Sequence, residues 1–357
     1  MRGRGRKSFR GTLERELLNH YSVGEELRGE NVRALICGIG GQDGGYLAKF
    51  LLAKGYEVFG TSRDIYLMSG RGLHVFGIAD QVTLRSMAIN DFRSVLSVLA
   101  AVNPDEVYNL AGQSSVGLSF EQPVETTESI AIGTLNLLET IRFLKPSIRF
   151  YNAGSSECFG DTSGTMADET TAFRPRSPYA VAKATAFWHV ANYREAYALH
   201  ASSGILFNHE SPMRPERFVT QKIVSAACRI SLGSSEKLIL GDIDIHRDWG
   251  WAPDYVEAMW AMTQQPAGGD YVVATGRTVS LSYFIERVFA EVGLDWQAHV
   301  ESRPELYRPS EIHVSRANPE RTHAVLNWRH KFEVEDVVRE MVKHQLAIAP
   351  ARSAARD

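Results

Sequence analysis

The feature that most restricts the fold is an apolar segment followed directly by closely spaced glycines and then by a helical pattern. The segment VRALICGIGG starts at Val32 and is continuously apolar, as expected for a strand buried on both faces of a parallel sheet. The next segment, YLAKFLLAKG, has apolar residues at helical spacing and ends at Gly55, where a glycine favours helix termination. The sequence therefore predicts a strand, a tight turn and a helix in direct succession.

The alternation of apolar strands and helices continues as far as the segment IRFYNAGS. Such alternation predicts an α/β fold with a doubly wound parallel sheet, the Rossmann arrangement. After residue 205 the pattern becomes irregular, so we expect a smaller mixed C-terminal lobe that is partly interleaved with the first. The predicted boundaries are 1–30 for a basic N-terminal extension, 31–205 for a dinucleotide-binding domain to which segments such as 247–276 partly return, 206–346 for the interleaved substrate lobe, and 347–357 for a tail.

Composition limits the partners that the chain can have. A net charge of −3 over 357 residues gives no general attraction for nucleic acid or an anionic membrane, and no apolar run approaches the length of a spanning helix. Cys37, Cys158 and Cys228 form no CxxC pair, which favours a reducing compartment and hence the cytoplasm. The histidines show no ligand spacing, so we predict no metal. A small-molecule substrate is expected, and contact of the basic extension with an anionic partner is the less favoured alternative.

The first turn has the spacing of a dinucleotide site. Gly38, Gly41 and Gly44 follow a GxxGxxG pattern, which lets the backbone and the N-terminus of the next helix approach a pyrophosphate. Arg63 follows the second strand and would pair with the 2′-phosphate of NADP, whereas the adjacent Asp64 would accept a hydrogen bond from the ribose of NAD. We favour NADP through Arg63, and NAD stays open because of Asp64.

A second pattern indicates hydride chemistry. In RSPYAVAK, Tyr179 and Lys183 lie four residues apart on a predicted helix that begins at Ser177, so both side chains share one face. An ammonium close to a phenol favours phenolate, which can take the proton of an alcohol. The loop NAGSSECFGD adds Ser155 and Glu157, and this glutamate is either a solvated loop charge or an aimed base.

These motifs resemble those of the extended short-chain dehydrogenase/reductases. More narrowly, the strings GIGGQDGGYLAKFLLAKGYEV, SSECFG, RPRSPYAVAK, FNHESPMRPERFVTQKI, RDWGWAPDYVEAMW and YRPSEI are similar to the GDP-mannose 4,6-dehydratase family. The resemblance extends from about Val32 to about Trp328. It implies a lyase of nucleotide-sugar metabolism that makes a precursor of 6-deoxyhexoses, and it implies a homo-oligomer, either a dimer or a tetramer.

The resemblance also assigns a use to the glutamate. In this family NADP⁺ oxidises the sugar at C4, a base removes the acidified C5 proton, water leaves from C6, and the hydride returns to C6. By position, Glu157 would be that base, with Ser155 on the C4 oxygen, Ser156 near the leaving hydroxyl, and Tyr179 and Lys183 completing the catalytic set. The carboxylate distinguishes this reaction from a simple reduction or epimerisation.

The remaining site residues are carried over from the family by their positions in these strings. The residues expected at the cofactor are Gly38, Gly41, Gln42, Asp43, Gly44, Arg63, Ile89, Leu110, Ala111, Gln113, Ser114, Tyr179, Lys183, His209 and Arg214. Those expected at the GDP-sugar are Ser114, Ser155, Glu157, Tyr179, Asn208, Lys222, Arg247, Arg308 and Glu311. The less favoured alternatives are a dehydratase or epimerase of another GDP-hexose, and a non-catalytic dinucleotide sensor.

Overall fold

Seven parallel strands form the central sheet of the computed structural model, which describes residues 32–68 and 70–353. The predicted extension at 1–30 lies outside the described residues. The strands of this sheet are β1 (Arg33–Cys37), β2 (Glu57–Ser62), β3 (Val82–Ser86), β4 (Glu106–Asn109), β5 (Arg149–Ala153), β6 (Ala201–Leu206) and, farther along the chain, β10 (Asp270–Val273).

The order of these strands places a crevice beyond the carboxyl ends of the central strands. The order is β10-β6-β5-β4-β1-β2-β3, so the chain changes its direction of growth between β1 and β4. Cys37 at the end of β1 lies opposite Thr61 on one side and Asn109 on the other. Ligands of doubly wound sheets bind at such a switch point, beyond the carboxyl ends of the strands. The predicted α/β fold is confirmed.

Helices cover both faces of the sheet. Asp91 caps the helix after β3 through the backbone N–H groups of Arg93 and Ser94. The helices are α1 (Gln42–Ala53), α2 (Arg71–Val75), α3 (Phe92–Val102), α4 (Val116–Glu121), α5 (Pro123–Thr127), α6 (Gly133–Leu144), α7 (Pro178–Tyr197), α8 (Val219–Ser231), α9 (Ala252–Thr263), α10 (Leu281–Glu291), α11 (Glu320–Leu326) and α12 (Val334–Ser353). A π-helical segment, Glu128–Ile132, joins α5 to α6.

A smaller set of strands lies beyond β6. It comprises β7 (Asn208–Glu210), β8 (Leu238–Leu240), β9 (His246–Trp251), β11 (Thr278–Ser280) and β12 (Val300–Ser302). Strand β9 pairs in parallel with β7 and antiparallel with β11, whereas β12 pairs in parallel with β8. The mixed pairing agrees with the irregular pattern of this part of the sequence. All the described residues belong to one compact unit. The division into lobes near residue 205 therefore stays a prediction.

Two buried clusters stabilise these layers. One packs Leu35, Val107 and Phe150 of the central sheet against its flanking helices. The other packs Trp249 and Phe284, together with residues of α8 and α12, beside the smaller strands. Cys37, Cys158 and Cys228 are buried and unpaired, as expected. No helix of the described residues is long and apolar enough to cross a membrane.

Candidate active site

The glycine turn after β1 forms a tightly packed backbone cradle at the switch point. Gly38 has φ of +84°, and a Cβ at this position would lie 2.9 Å from the backbone N and Cα of Ala111. A Cβ on Gly44 would lie 2.6 Å from the carbonyl oxygen of Ile39. Gly41 is the N-cap residue of α1 and has no side chain with which to cap this helix end. The cradle therefore fits a pyrophosphate, because backbone N–H groups and the positive helix end face the crevice.

The start of α1 is joined to strand β7 by side chains. Asp43 Oδ2 lies 3.0 Å from His209 Nε2, and Gln42 Nε2 donates to the His209 carbonyl oxygen at 3.2 Å. Ser211 Oγ donates to Gln42 Oε1 at 2.8 Å. Burial alone would raise the pKa of the Asp43 carboxyl, but His209 and the hydrogen bonds to it lower that pKa to about 2. The structure therefore brings three of the expected cofactor residues together.

Strand β7 and the loop after it also position Arg214. Arg214 Nε donates to Glu210 Oε2 at 2.8 Å, and Thr220 Oγ1 donates to the same oxygen at 2.7 Å. Glu210 is buried, so its carboxylate is a fixed partner for the arginine. Glu210 is absent from the residues predicted from the sequence. The only sequence signal for Glu210 was its position four residues before Arg214. That spacing indicates an ion pair in a helix, but these two residues lie in a strand and a loop.

Ser155, Tyr179 and Lys183 converge at the ends of β5 and α7. Ser177 caps α7 by accepting from Ala180 N at 3.1 Å, and Pro178 is its first residue. This fixes the helix face that carries Tyr179 and Lys183. Lys183 Nζ donates to the Ala153 carbonyl oxygen at 2.7 Å and lies 5.8 Å from the Tyr179 ring centroid. The Tyr179 phenol lies beside the Ser155 hydroxyl, which acts to lower the pKa of the phenol.

Burial dominates the protonation of this group. It raises the pKa of the Tyr179 phenol above its ordinary value, an effect that the hydrogen bond to Ser155 only partly offsets. It lowers the pKa of Lys183 to about 8, although Cys158 and Asp43 act in the opposite direction. Burial therefore acts against the phenolate that we expect Lys183 to favour, because desolvation disfavours the charged form of both groups.

Glu157 lies in a single turn of 3₁₀ helix, Ser156–Phe159, directly after β5. Ser155 caps this turn by accepting from Glu157 N at 3.3 Å, and Ser156 is buried beside it. Burial raises the pKa of Glu157 above its ordinary value, and the charges of Arg247 and Arg308 oppose that rise. Glu157 is therefore not a solvated loop charge. It is a desolvated carboxylate near two guanidinium groups.

Those guanidinium groups come from β9 and from the segment before α11. Arg247 is buried, and its Nη2 lies 3.3 Å from Glu311 Oε1. Arg308 Nη1 lies 3.6 Å from the same oxygen, and this arginine is more exposed. Strand β9 pairs with β7, which places Asn208 opposite Trp249. Two cations next to a desolvated carboxylate form a suitable place for a diphosphate.

The segment after β4 lines the crevice between these groups. Gly112 has φ of +124°, and a Cβ there would lie 2.9 Å from Ile130 of the π-helical segment. Gln113 donates through Nε2 to Thr126 Oγ1 at 3.2 Å. Leu110 donates from its backbone N to the Cys37 carbonyl oxygen at 3.0 Å, and Ser114 is exposed. The segment is thus held against the glycine turn on one side and the helix on the other.

Two expected cationic site residues have protein partners of their own. Arg63, at the end of β2, pairs with Glu125 at 2.6 Å. Lys222 Nζ donates to the Ile239 carbonyl oxygen at 2.7 Å and is exposed. Asp64 accepts from the backbone N of Tyr66 at 2.8 Å, so its carboxylate stabilises the local turn.

Ile89, after β3, is the expected residue on the adenine side. Its side chain packs against Gly133, where an added Cβ would lie 3.0 Å from Ile89 Cγ1. Its carbonyl oxygen accepts from Asn136 Nδ2 at 3.0 Å. No group of three or more His, Cys, Asp or Glu within residues 32–68 and 70–353 could hold a metal ion.

Comparison with known proteins identifies the family of this chain. The family model for GDP-mannose 4,6 dehydratase matches residues 35–341 of this chain. The protein named GDP-mannose 4,6 dehydratase 1 of Arabidopsis thaliana is 45% identical over 334 residues, which cover 91% of this chain and 92% of that protein.

Solved structures show the same fold. A UDP-glucose 4-epimerase of Thermus thermophilus, solved with NAD, is 26% identical with a TM-score of 0.77, over 88% of this chain and 99% of that one. The protein RMD of Pseudomonas aeruginosa, solved with NADPH, is 21% identical with a TM-score of 0.73, over 90% of this chain and 99% of that one. The second likeness concerns the fold alone. Because the family match covers residues 35–341 and a relative is 45% identical over 91% of the chain, this chain belongs to the GDP-mannose 4,6-dehydratase family.

Proposed function

We propose that this chain is a GDP-mannose 4,6-dehydratase, a hydro-lyase that converts GDP-D-mannose to GDP-4-dehydro-6-deoxy-D-mannose. The observation that carries the proposal is the position of Glu157. Its carboxylate is desolvated, follows the serine that contacts Tyr179, and lies near Arg247 and Arg308. A base is needed in this place for elimination, whereas a simple oxidation needs only the hydroxyl, the phenol and the lysine.

A nicotinamide dinucleotide, when bound, supplies reversible acceptance of hydride. The residues that would hold it are those of the glycine cradle, the segment after β4, Lys183, and the pair His209 and Arg214. The cradle fits such a group because Gly38 and Gly44 let the turn pack directly on the backbone of Ala111 and Ile39, which leaves the uncapped start of α1 next to the turn. Asp43 orients His209 at 3.0 Å, and Glu210 orients Arg214 at 2.8 Å.

Ser155 and Tyr179 would manage the proton at the sugar's C4 oxygen. Because the Ser155 oxygen accepts from the Glu157 backbone N, the serine is oriented and its own proton stays available for donation. The Tyr179 phenol lies beside that hydroxyl, so an alcohol oxygen bound between them would contact both groups. Lys183 is fixed by the Ala153 carbonyl oxygen and adds positive charge to this end of α7.

Glu157 would remove the C5 proton after C4 has become a ketone. A carboxylate with a raised pKa is a stronger base than a solvated one, which suits abstraction of a carbon-bound proton. Glu157 would then assist the departure of the C6 hydroxyl as water, with Ser156 beside it. Glu157 would hold the proton taken from C5 and pass it to the C6 hydroxyl as water leaves, so one carboxylate would serve both steps.

The GDP portion would be bound by two arginines and three further polar residues: Arg247, Arg308, Lys222, Asn208 and Glu311. Glu311 now occupies both arginines, at 3.3 and 3.6 Å. A diphosphate offers more negative charge to the arginines than one carboxylate does. Its arrival would free Glu311 for a hydroxyl donor of the ligand.

NADP is the proposed dinucleotide, because Arg63 follows β2 where a 2′-phosphate would lie. We further propose a cytoplasmic homo-oligomer, and a dinucleotide domain at 31–205 next to an interleaved sugar lobe at 206–346. These proposals rest on the family and on the positions of the motifs.

The decisive assay incubates the purified full chain with GDP-mannose. We expect a product lighter by one water and no net consumption of added NADP⁺, measured by mass spectrometry and by absorbance of the reduced dinucleotide. No change in GDP-mannose, with turnover of a different GDP-hexose, would overturn the assignment of substrate.

A further inference from the structure

An ion pair between Arg63 and Glu125 lies beyond the end of β2. A doubly wound fold places the adenosine ribose there, and we call this region the adenosine end of the crevice. Arg63 follows β2, whereas Glu125 lies in α5, so the pair joins segments that are far apart in sequence. Arg63 Nη2 and Glu125 Oε1 are 2.6 Å apart. The arginine side chain is 73% exposed and that of the glutamate 39%, so both groups can be reached by a ligand in the crevice.

Neighbouring contacts show that these residues face each other across the adenosine end. Asn90 Nδ2 donates to Glu128 Oε2 at 3.4 Å, and Asn136 Nδ2 donates to the Ile89 carbonyl oxygen at 3.0 Å. The ends of β2 and β3 therefore lie along one stretch of chain, from α5 through the π-helical segment to α6. In a doubly wound fold the adenosine ribose lies at the end of the second strand. Glu125 thus lies at the place where a 2′ substituent would be recognised.

The other carboxylate near this place has a different use. Asp64 Oδ1 accepts from the backbone N of Tyr66 at 2.8 Å and of Leu67 at 3.3 Å. Both hydrogen bonds end on Oδ1, so this oxygen is committed to the turn after β2. Glu125 is therefore the better placed carboxylate for an effect on the ribose.

The two dinucleotides would interact with this pair in opposite ways. A 2′-phosphate needs the Arg63 guanidinium and would bring its own negative charge next to the Glu125 carboxylate. A 2′-hydroxyl, in contrast, can donate to a carboxylate while the ion pair stays intact. Glu125 consequently competes with a 2′-phosphate for Arg63 and does not compete with a 2′-hydroxyl.

We propose that Glu125 is a specificity-determining residue that weakens the preference for NADP over NAD by competing for Arg63. The inference rests on the dinucleotide site of the proposed function but is independent of the sugar chemistry. The preference for NADP over NAD then depends on whether Arg63 binds the 2′-phosphate or stays paired with Glu125.

The test is direct binding of NADP⁺ and NAD⁺ to the purified full chain, freed of co-purified nucleotide, by isothermal titration calorimetry. Glu125→Gln removes the competing charge and keeps the side-chain size. We expect the ratio of the NAD⁺ dissociation constant to the NADP⁺ dissociation constant to rise about fivefold, mostly through tighter NADP⁺ binding. Glu121→Gln, an exposed change of equal charge on α4, should leave the ratio within about twofold.

A double-mutant cycle separates competition for Arg63 from a general charge effect. In an Arg63→Ala background, Glu125→Gln should change the ratio by less than about twofold, because the shared guanidinium is gone. An unchanged ratio in the single variant, or an equal rise in both backgrounds, would overturn the inference. Neither outcome depends on turnover, so a chain that failed to dehydrate GDP-mannose would refute the proposed function and leave this ratio interpretable.

Discussion

The two ends of the crevice are constructed differently. At the catalytic end, Lys183 and Glu157 lie within the ends of regular elements, and burial shifts the pKa of each of them. At the adenosine end, Arg63 and Glu125 are exposed and meet across segments that follow different strands. The reaction thus depends on desolvated groups held by helices and strands, whereas selectivity between dinucleotides depends on exposed charges. Changes at the first end should therefore affect turnover, and changes at the second should affect affinity.

Tyr179→Phe should have the largest effect. It removes the phenolic oxygen that contacts Ser155 and keeps the ring, so we expect kcat for GDP-mannose dehydration to fall about a thousandfold. Dinucleotide affinity should change by less than about threefold. Tyr197→Phe at the other end of α7 is the control and should keep full turnover, since its ring is 46% exposed. A fall in kcat smaller than about tenfold would contradict the role of the phenol.

Arg247→Lys should act on substrate binding. A lysine keeps the charge near Glu157 but loses the planar two-point contact with a diphosphate, so KM for GDP-mannose should rise about thirtyfold while kcat changes little. Steady-state kinetics would measure both constants. Arg303→Lys, at an exposed arginine paired with Glu301, provides the control. A lower kcat at unchanged KM would place Arg247 in the chemical step instead.

The stability of the strand that carries Arg247 should depend on pH through Asp248. This buried carboxylate accepts from Thr275 N at 3.0 Å and Gly276 N at 2.7 Å, and burial raises its pKa from 3.8 to about 6 despite these bonds. A raised carboxyl pKa means that the folded state binds more protons than the unfolded state between pH 6 and 3.8, so stability increases as pH falls through that window.

The expected size can be measured by urea unfolding at pH 7 and pH 5. The free energy of unfolding of the wild-type chain, relative to Asp248→Asn, should rise by about 1.4 kcal/mol between these values. The variant is its own control because it lacks the titrating group. A fall of the difference at pH 5 would show that Asp248 is ionised in the folded chain and stabilised by its donors.

Ile89→Ala should have the smallest effect and should act only at the adenosine end. The side chain packs on Gly133, so its truncation leaves a gap on the side where we expect the adenine of the dinucleotide. We expect the dissociation constant of either dinucleotide to rise about threefold with kcat unchanged. Val325→Ala, exposed on α11, is the control. A large loss of kcat would show that the two ends of the crevice are coupled.

The fold and part of the site were predictable because their signals are local. The buried strand before Gly38, the helix end at Gly55 and the cap at Ser177 each depend on residues within a few positions. The same is true of the spacing between Tyr179 and Lys183, since one helix face carries both.

The remaining features depend on contacts between distant segments. Arg63 and Glu125 are 62 residues apart, and Asp43 and His209 are 166 residues apart, so no spacing rule connects them. The raised pKa of the Tyr179 phenol could not be predicted either, because the extent of burial that causes it cannot be read from a helical period.

Glu157 is the residue on which the proposed lyase activity depends. The direct test incubates Glu157→Gln with GDP-mannose and a dinucleotide. The product mass and the absorbance of the reduced dinucleotide are recorded. Glu291→Gln, an exposed change of the same type, should dehydrate GDP-mannose as the wild-type chain does. We predict no product lighter by one water from Glu157→Gln, with a trace of reduced dinucleotide from arrested oxidation. Dehydration by Glu157→Gln at the wild-type rate would contradict the account.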